Sequence, residues 1–285
     1  MSEGKATLAL WLVSSLGLLA LGAKAGILPE SRYPVWVVLS LGLYALGTSV
    51  AWHFRLPRSG RLGQLARQMA GWHYAGSVRR VLRFGYYVLI PYFALLAGVA
   101  SPHHLGLLDL DWPRSLGLAL LTALASMAAF ALLWKKYFLA LGRLDADYLR
   151  GLTPLDAVGL STDTTSLVLD ALYLEVHWAL YRGLAIAYLG YYGGSALALA
   201  IIAMEWLLSP GVRRALGIPG KAELSLFHLA TAPVTTALFF GTRNLWATIP
   251  VHLALKATMS LVVLGRLAPR SKKAAAPAPA PAKEQ

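Results

Sequence analysis

The sequence predicts an all-α membrane protein: a polytopic bundle of about eight transmembrane helices, both ends cytoplasmic, with one amphipathic interfacial helix. Three observations carry that expectation. The 285 residues are 57% apolar and 14% charged, whereas soluble domains run at about 45–50% and ~25%. Eight apolar runs are long enough to cross ~30 Å of hydrocarbon. The 26 Lys and Arg, set against 13 Asp and Glu, collect on alternate loops. A mean hydropathy of +0.57 agrees. With no cysteine, the chain has no disulfide, thiolate metal site or cysteine nucleophile.

The runs fall at 7–23, 34–52, 84–100, 115–134, 166–188, 194–208, 224–241 and 245–264. Tyr-Tyr-Gly-Gly at 191–194 separates the fifth from the sixth, and Gly-Thr-Arg-Asn at 241–244 separates the last two. Lys5, the first apolar run and Ala-Lys-Ala at 23–25 also resemble a signal peptide with its cleavage site. A retained first helix is the expectation, and cleavage would leave the orientation of the rest unchanged.

Loop charges give the topology. Arg55, Arg58, Arg61, Arg67, Arg79, Arg80 and Arg83 lie between the second and third runs, Lys135 and Lys136 follow the fourth, Arg213, Arg214 and Lys221 the sixth, and Arg266, Arg270, Lys272 and Lys273 the eighth. The alternate loops carry few charges, as the positive-inside rule requires. The net charge of +13 is therefore mostly topology, and no motif points to nucleic acid as a partner.

The expected organisation is a set of N-terminal membrane helices over 1–135, a cytoplasmic loop over 136–164, a membrane core over 165–266 and a disordered Ala/Pro tail over 267–285. Within the first part, the basic segment 55–83 places Leu62, Leu65, Ala66, Met69 and Trp72 on one helical stripe. A helix of that kind lies on the cytoplasmic leaflet, its arginines against anionic lipid headgroups; a solvated loop packed on the bundle is the competing reading.

Ionisable residues inside membrane spans are costly and mark function. The N-terminal runs hold almost none, while the C-terminal four hold Asp170, Glu175, His177, Arg182, Glu205, His228, His252 and Lys256. Glu175, Trp178, Ala179 and Arg182 share one helical face, and His177 lies about 200° round from Glu175. His228 shares a face with Thr231, Ala232 and Thr235, and His252 with Thr248 and Lys256. Pro233 and Pro250 free backbone carbonyls beside the two histidines, which suits a polar cavity between helices. Asp170 and Glu205, near span ends, are expected to be hydrated, and the Trp- and Tyr-rich borders to form interfacial belts.

The segment T-R-N-L-W-A-T-I-P-V-H-L-A-L-K at 242–256 resembles the third motif of the CAAX prenyl protease 2 and bacteriocin-processing (CPBP) family of intramembrane proteases, where a histidine is followed four residues later by Asn. E-V-H-W-A-L-Y-R-G at 175–183 is similar to the first motif, E-E-x-x-x-R-G, and His228 to the histidine of the second, F-x-x-x-H. Aligning Arg182 and Gly183 puts His177 and Trp178 where the two glutamates belong, with Glu175 nearly one turn early. Leu224 replaces the Phe, and Lys256 the Asn. The resemblance covers roughly residues 165–265. It implies Glu175 as the water-activating glutamate, His228 and His252 as oxyanion donors, Arg182, Lys256 and His177 in support, and a prokaryotic cytoplasmic membrane as the location.

Each residue also has a structural reading. Glu175 is either a general base or one half of a buried ion pair with Lys256 or Arg182. His228 and His252 are oxyanion donors, metal ligands or interhelical hydrogen-bonding groups, and His177 is expected to be structural. No cofactor is implied beyond a metal held by His228 and His252. Counted from the cytoplasmic helix ends, His228 is one or two turns deep and His252 three or more, which argues against a shared haem axis.

Three functions follow. The chain is an intramembrane endopeptidase acting on a membrane-anchored protein or peptide, an inactive relative serving as scaffold or accessory subunit of a membrane complex, or a bis-histidine haem or metal protein.

Overall fold

The computed structural model describes residues 33–55, 81–108, 110–144, 164–218 and 222–267. The first expected span, the amphipathic stripe from Leu62 to Trp72 and the Ala/Pro tail beyond 267 lie outside the described residues. Those that are described form helices α1 (Tyr33–Arg55), α2 (Ile90–Leu96), α3 (Trp112–Leu144), α4 (Thr164–Leu208), α5 (Pro210–Leu216), α6 (Glu223–Thr242) and α7 (Leu245–Leu267), with no strand among them. A π-helical turn, Gly85–Leu89, leads directly into α2.

Among the described residues, four helices are long and apolar enough to cross a membrane: Tyr33–His53, Trp112–Ala140, Leu167–Leu208 and Leu245–Val262. The protein is therefore a membrane protein by the length and composition of its helices. The run Val81–Leu96 is apolar but shorter, and α6 is not among the four. Exposed leucines such as Leu116, Leu120 and Leu124 on α3 give that helix an apolar outer face, as lipid requires.

Two boundaries differ from the sequence expectation. The fourth run does not end in a loop at 136, because α3 continues through Lys135 and Lys136 to Leu144. The break between the fifth and sixth runs falls at Gly190, not at 191–194. Gly190 alone has non-helical dihedrals inside α4 (φ 71°, ψ −173°), a conformation in which a side chain would be strained. The 42-residue apolar stretch of α4 would span about 63 Å if straight, twice the hydrocarbon core. Instead the chain folds back at Gly190. The two arms then press so closely that a Cβ on Gly194 would overlap the backbone of Ile186.

The hairpin of α4 packs against α1, α6 and α7. Trp178, Tyr181, Ile201 and Ile202 from its two arms form one apolar cluster, with Leu174 and Tyr87. Phe130, Trp134 and Phe138 of α3 meet Phe227 of α6 and Leu255 and Met259 of α7 in another. The link between α6 and α7 is pinned from outside. Arg243 turns the chain in the left-handed region (φ 48°), and Asn244 Oδ1 accepts from the N–H of Ala247 to cap α7. The N–H of Leu245 donates to the carbonyl of Gly106, and this same loop lies on α4 at Gly183, where any Cβ would overlap the carbonyl of His104. These contacts fix α4, α6 and α7 relative to one another, and the polar residues sit between them.

Candidate functional site

Glu175 lies on the first arm of α4 and is fully buried. Its face includes Arg182, seven residues on, and the two side chains meet: Arg182 Nη1 donates to Glu175 Oε2 at 2.8 Å. The guanidinium is fixed on its other sides by α6, with Nε on Thr236 Oγ1 at 2.9 Å and Nη2 on Thr235 Oγ1 at 2.6 Å. Trp178 and Phe239 sandwich it, with ring centroids 5.5 and 5.7 Å from Cζ. Each of the three guanidinium nitrogens of this buried Arg has an acceptor, as a charge in a membrane interior requires.

The second carboxylate oxygen belongs to α7. His252 Nδ1 lies 2.8 Å from Glu175 Oε1, so the bond to an ionised carboxylate fixes Nδ1–H as the protonated position of the neutral ring. Its Nε2 is buried with no hydrogen-bond partner in the protein. Trp178 stacks on the His252 ring at 5.8 Å, and α6 brings His228 to 6.1 Å from it, centroid to centroid. Trp206, from the second arm of α4, stacks on His228 at 4.5 Å. Nδ1 of His228 likewise has no partner. Glu175, Arg182, His228 and His252 thus converge from three helices.

Several sequence expectations change here. Lys256 is not the partner of Glu175. It is buried on α7 at 7% exposure, but Arg182 and His252 occupy both carboxylate oxygens. The depth argument that set His228 and His252 apart does not hold, since their rings lie 6.1 Å apart, centroid to centroid. Thr231 and Thr248 bond to their own helix backbones and not to the histidines. Trp178, on the Glu175 face as expected, is completely buried and covers both Arg182 and His252. Asp170 is partly exposed and paired with Arg83 at 2.8 Å. Among the described residues, no group of three His, Asp or Glu side chains is arranged to hold a metal ion.

His177 points away from this cluster, as its angular position on α4 requires. Nε2 contacts Ser40 Oγ (3.2 Å), Tyr86 Oη (3.1 Å) and Tyr181 Oη (3.0 Å). Glu205 joins them from the second arm of α4. It is not hydrated: its exposure is 1%, because the fold at Gly190 lays this arm against the first. Sequence reasoning missed Ser40, Tyr86, Tyr181 and Trp206. Isolated hydroxyls and a tryptophan in apolar helices resemble packing and border residues, and the one available signal was the π-turn's Gly-Tyr-Tyr at 85–87.

Compared with known proteins, the chain matches no family model, no curated protein and no solved structure.

Proposed function

We propose that the chain is an intramembrane endopeptidase of the CPBP type, acting on a membrane-anchored protein or peptide. In this reading it is an eight-span protein of the prokaryotic cytoplasmic membrane with both ends inside, its basic segment 55–83 against anionic lipid. One observation carries the reading: Glu175, His228 and His252, the three positions the motif resemblance singles out, meet in one buried cluster although 77 residues separate the first from the last.

The geometry supports the following roles. Both oxygens of Glu175 are bonded, to Arg182 and His252, so the carboxylate orients and the imidazole acts. With Nδ1–H held by Glu175, His252 presents the lone pair of Nε2 and takes a proton from water as hydroxide attacks the scissile carbonyl. His228, as the Nδ1–H tautomer, donates to the oxyanion that forms. The proton on His252 then passes to the departing amine, and the ion pair with Glu175 stabilises the imidazolium in between. Arg182 is a positioning residue, locked to α6 by Thr235 and Thr236.

A second reading, an inactive scaffold, is favoured by the burial of Glu175, Arg182 and His252, each 0% exposed. The two separate on cleavage of a membrane-anchored reporter peptide in proteoliposomes. Peptidase activity abolished by His252→Gln and Glu175→Gln, in variants that still melt cooperatively, supports catalysis. A folded wild type inert toward a panel of such peptides leaves the scaffold.

A further inference from the structure

We infer that the second buried cluster, built on Glu205 and His177, is a proton-binding site, in which the carboxyl holds one exchangeable proton that can pass to the imidazole. The inference stands independently of the peptidase reading.

It rests on a missing counter-charge. Glu205 is as buried as Glu175, yet among the described residues no Arg or Lys pairs with it. The basic group facing it is His177, whose Nε2 is 3.8 Å from Oε2, and Oε2 has no hydrogen-bond partner. A bare carboxylate in a membrane interior is too costly to persist, so the cluster must carry one positive charge of its own. Ser40 and Tyr181, which share this cluster, are buried, and Ser40 Oγ and Tyr181 Oη lie 2.8 Å apart.

The geometry also supplies a route. Tyr86 Oη lies 3.3 Å from Glu205 Oε1 and 3.1 Å from His177 Nε2, so a single hydroxyl touches both proton positions. It accepts a proton on one side as it gives one up on the other. The π-turn sets Tyr86 there, and it also brings Tyr87 edge-on to the His177 ring at 5.3 Å. Other ionisable groups around the carboxyl are Tyr44 of α1 and Tyr181 of α4, with Arg83 at the edge already paired to Asp170. None adds a second positive charge within the cluster.

The two sites are adjacent in a specific way. Trp178 follows His177 and stacks on His252, and Trp206 follows Glu205 and stacks on His228. Moving the proton from Glu205 to His177 replaces a neutral pair by an ion pair, and both partners sit one residue from an indole that braces the first site.

Infrared spectroscopy of the full chain in nanodiscs at neutral pH tests this. The expected spectrum has a C=O stretch of an unionised carboxylic acid that shifts on transfer to D2O, disappears in Glu205→Gln and persists in Glu175→Gln. In Tyr86→Phe the band shifts in frequency as the hydrogen bond to Oε1 is lost, which keeps the test readable if Glu205→Gln fails to fold. No such band in the folded wild type, a band that survives Glu205→Gln, or a band removed by adding sodium ions alone would each overturn the proposal; the last would indicate a metal-cation site.

Discussion

Glu175 and Glu205 sit on the two arms of one helix, are buried to the same degree, and keep opposite company. Glu175 has a guanidinium on one oxygen and an imidazole on the other. Glu205 has a tyrosine hydroxyl on one oxygen and nothing bonded to the other. The first arrangement is a charged lock between α4, α6 and α7, in which every partner depends on the charge of every other. The second is a hydroxyl-lined pocket between α1, the π-turn and α4 that tolerates the loss of a charge. Burial alone therefore does not define what a membrane carboxylate does; its counter-charge does.

The largest expected effect breaks the lock. Arg182→Met removes the charge that holds Glu175 Oε2 and should cost about 3–5 kcal/mol, because a buried carboxylate is orphaned. Thermal unfolding in detergent measures it, and adding Glu175→Gln to Arg182→Met should recover most of the loss. Glu205→Gln, by contrast, should shift stability by no more than ~1 kcal/mol, since it replaces a neutralised acid with an amide of the same shape. Equal losses at the two glutamates would erase the distinction between the sites.

How much of this was readable beforehand divides along the same line. The lock was legible because it is written in one helix and two short segments: residues spaced by three, four and seven share a face, so Glu175, Trp178 and Arg182 could be grouped without a structure. Choosing Arg182 over Lys256 as the partner was not possible, since that depends on how far α7 slides past α4. The pocket was not legible. Ser40 and His177 are 137 residues apart, and the glycine-marked break expected at 191–194, found at Gly190, does not tell which residues of the returning arm face His177.

A smaller effect sharpens the description of the lock. Thr235→Val removes the acceptor for Arg182 Nη2 while keeping the shape, and leaves a buried guanidinium N–H unsatisfied. The expected cost is about 1–3 kcal/mol, read from the melting temperature. If the peptidase reading holds, kcat should fall with it, because Glu175 then orients His252 less firmly. Thr248→Val, whose hydroxyl bonds only to the backbone of Leu245, is the control and should be nearly silent.

The smallest expected effect is at Lys256, and it tests the lock by exclusion. An i, i+4 neighbour of His252 on α7, this side chain is the one cation besides Arg182 that the sequence could offer to Glu175. Had it been the partner, Lys256→Met would orphan the carboxylate and cost as much as Arg182→Met. In the observed arrangement Glu175 already has both oxygens bonded, and the ammonium stem is packed without touching them. Its replacement by an apolar side chain of similar length should then change stability by no more than ~1 kcal/mol in either direction, as a volume-conserving exchange does. The decisive quantity is the coupling in a double-mutant cycle of Glu175→Gln with Lys256→Met. Near-additive melting shifts, within ~0.5 kcal/mol, agree with two residues that do not bond. A coupling of several times that size would mean Lys256 reaches the carboxylate, and that Arg182 shares its role.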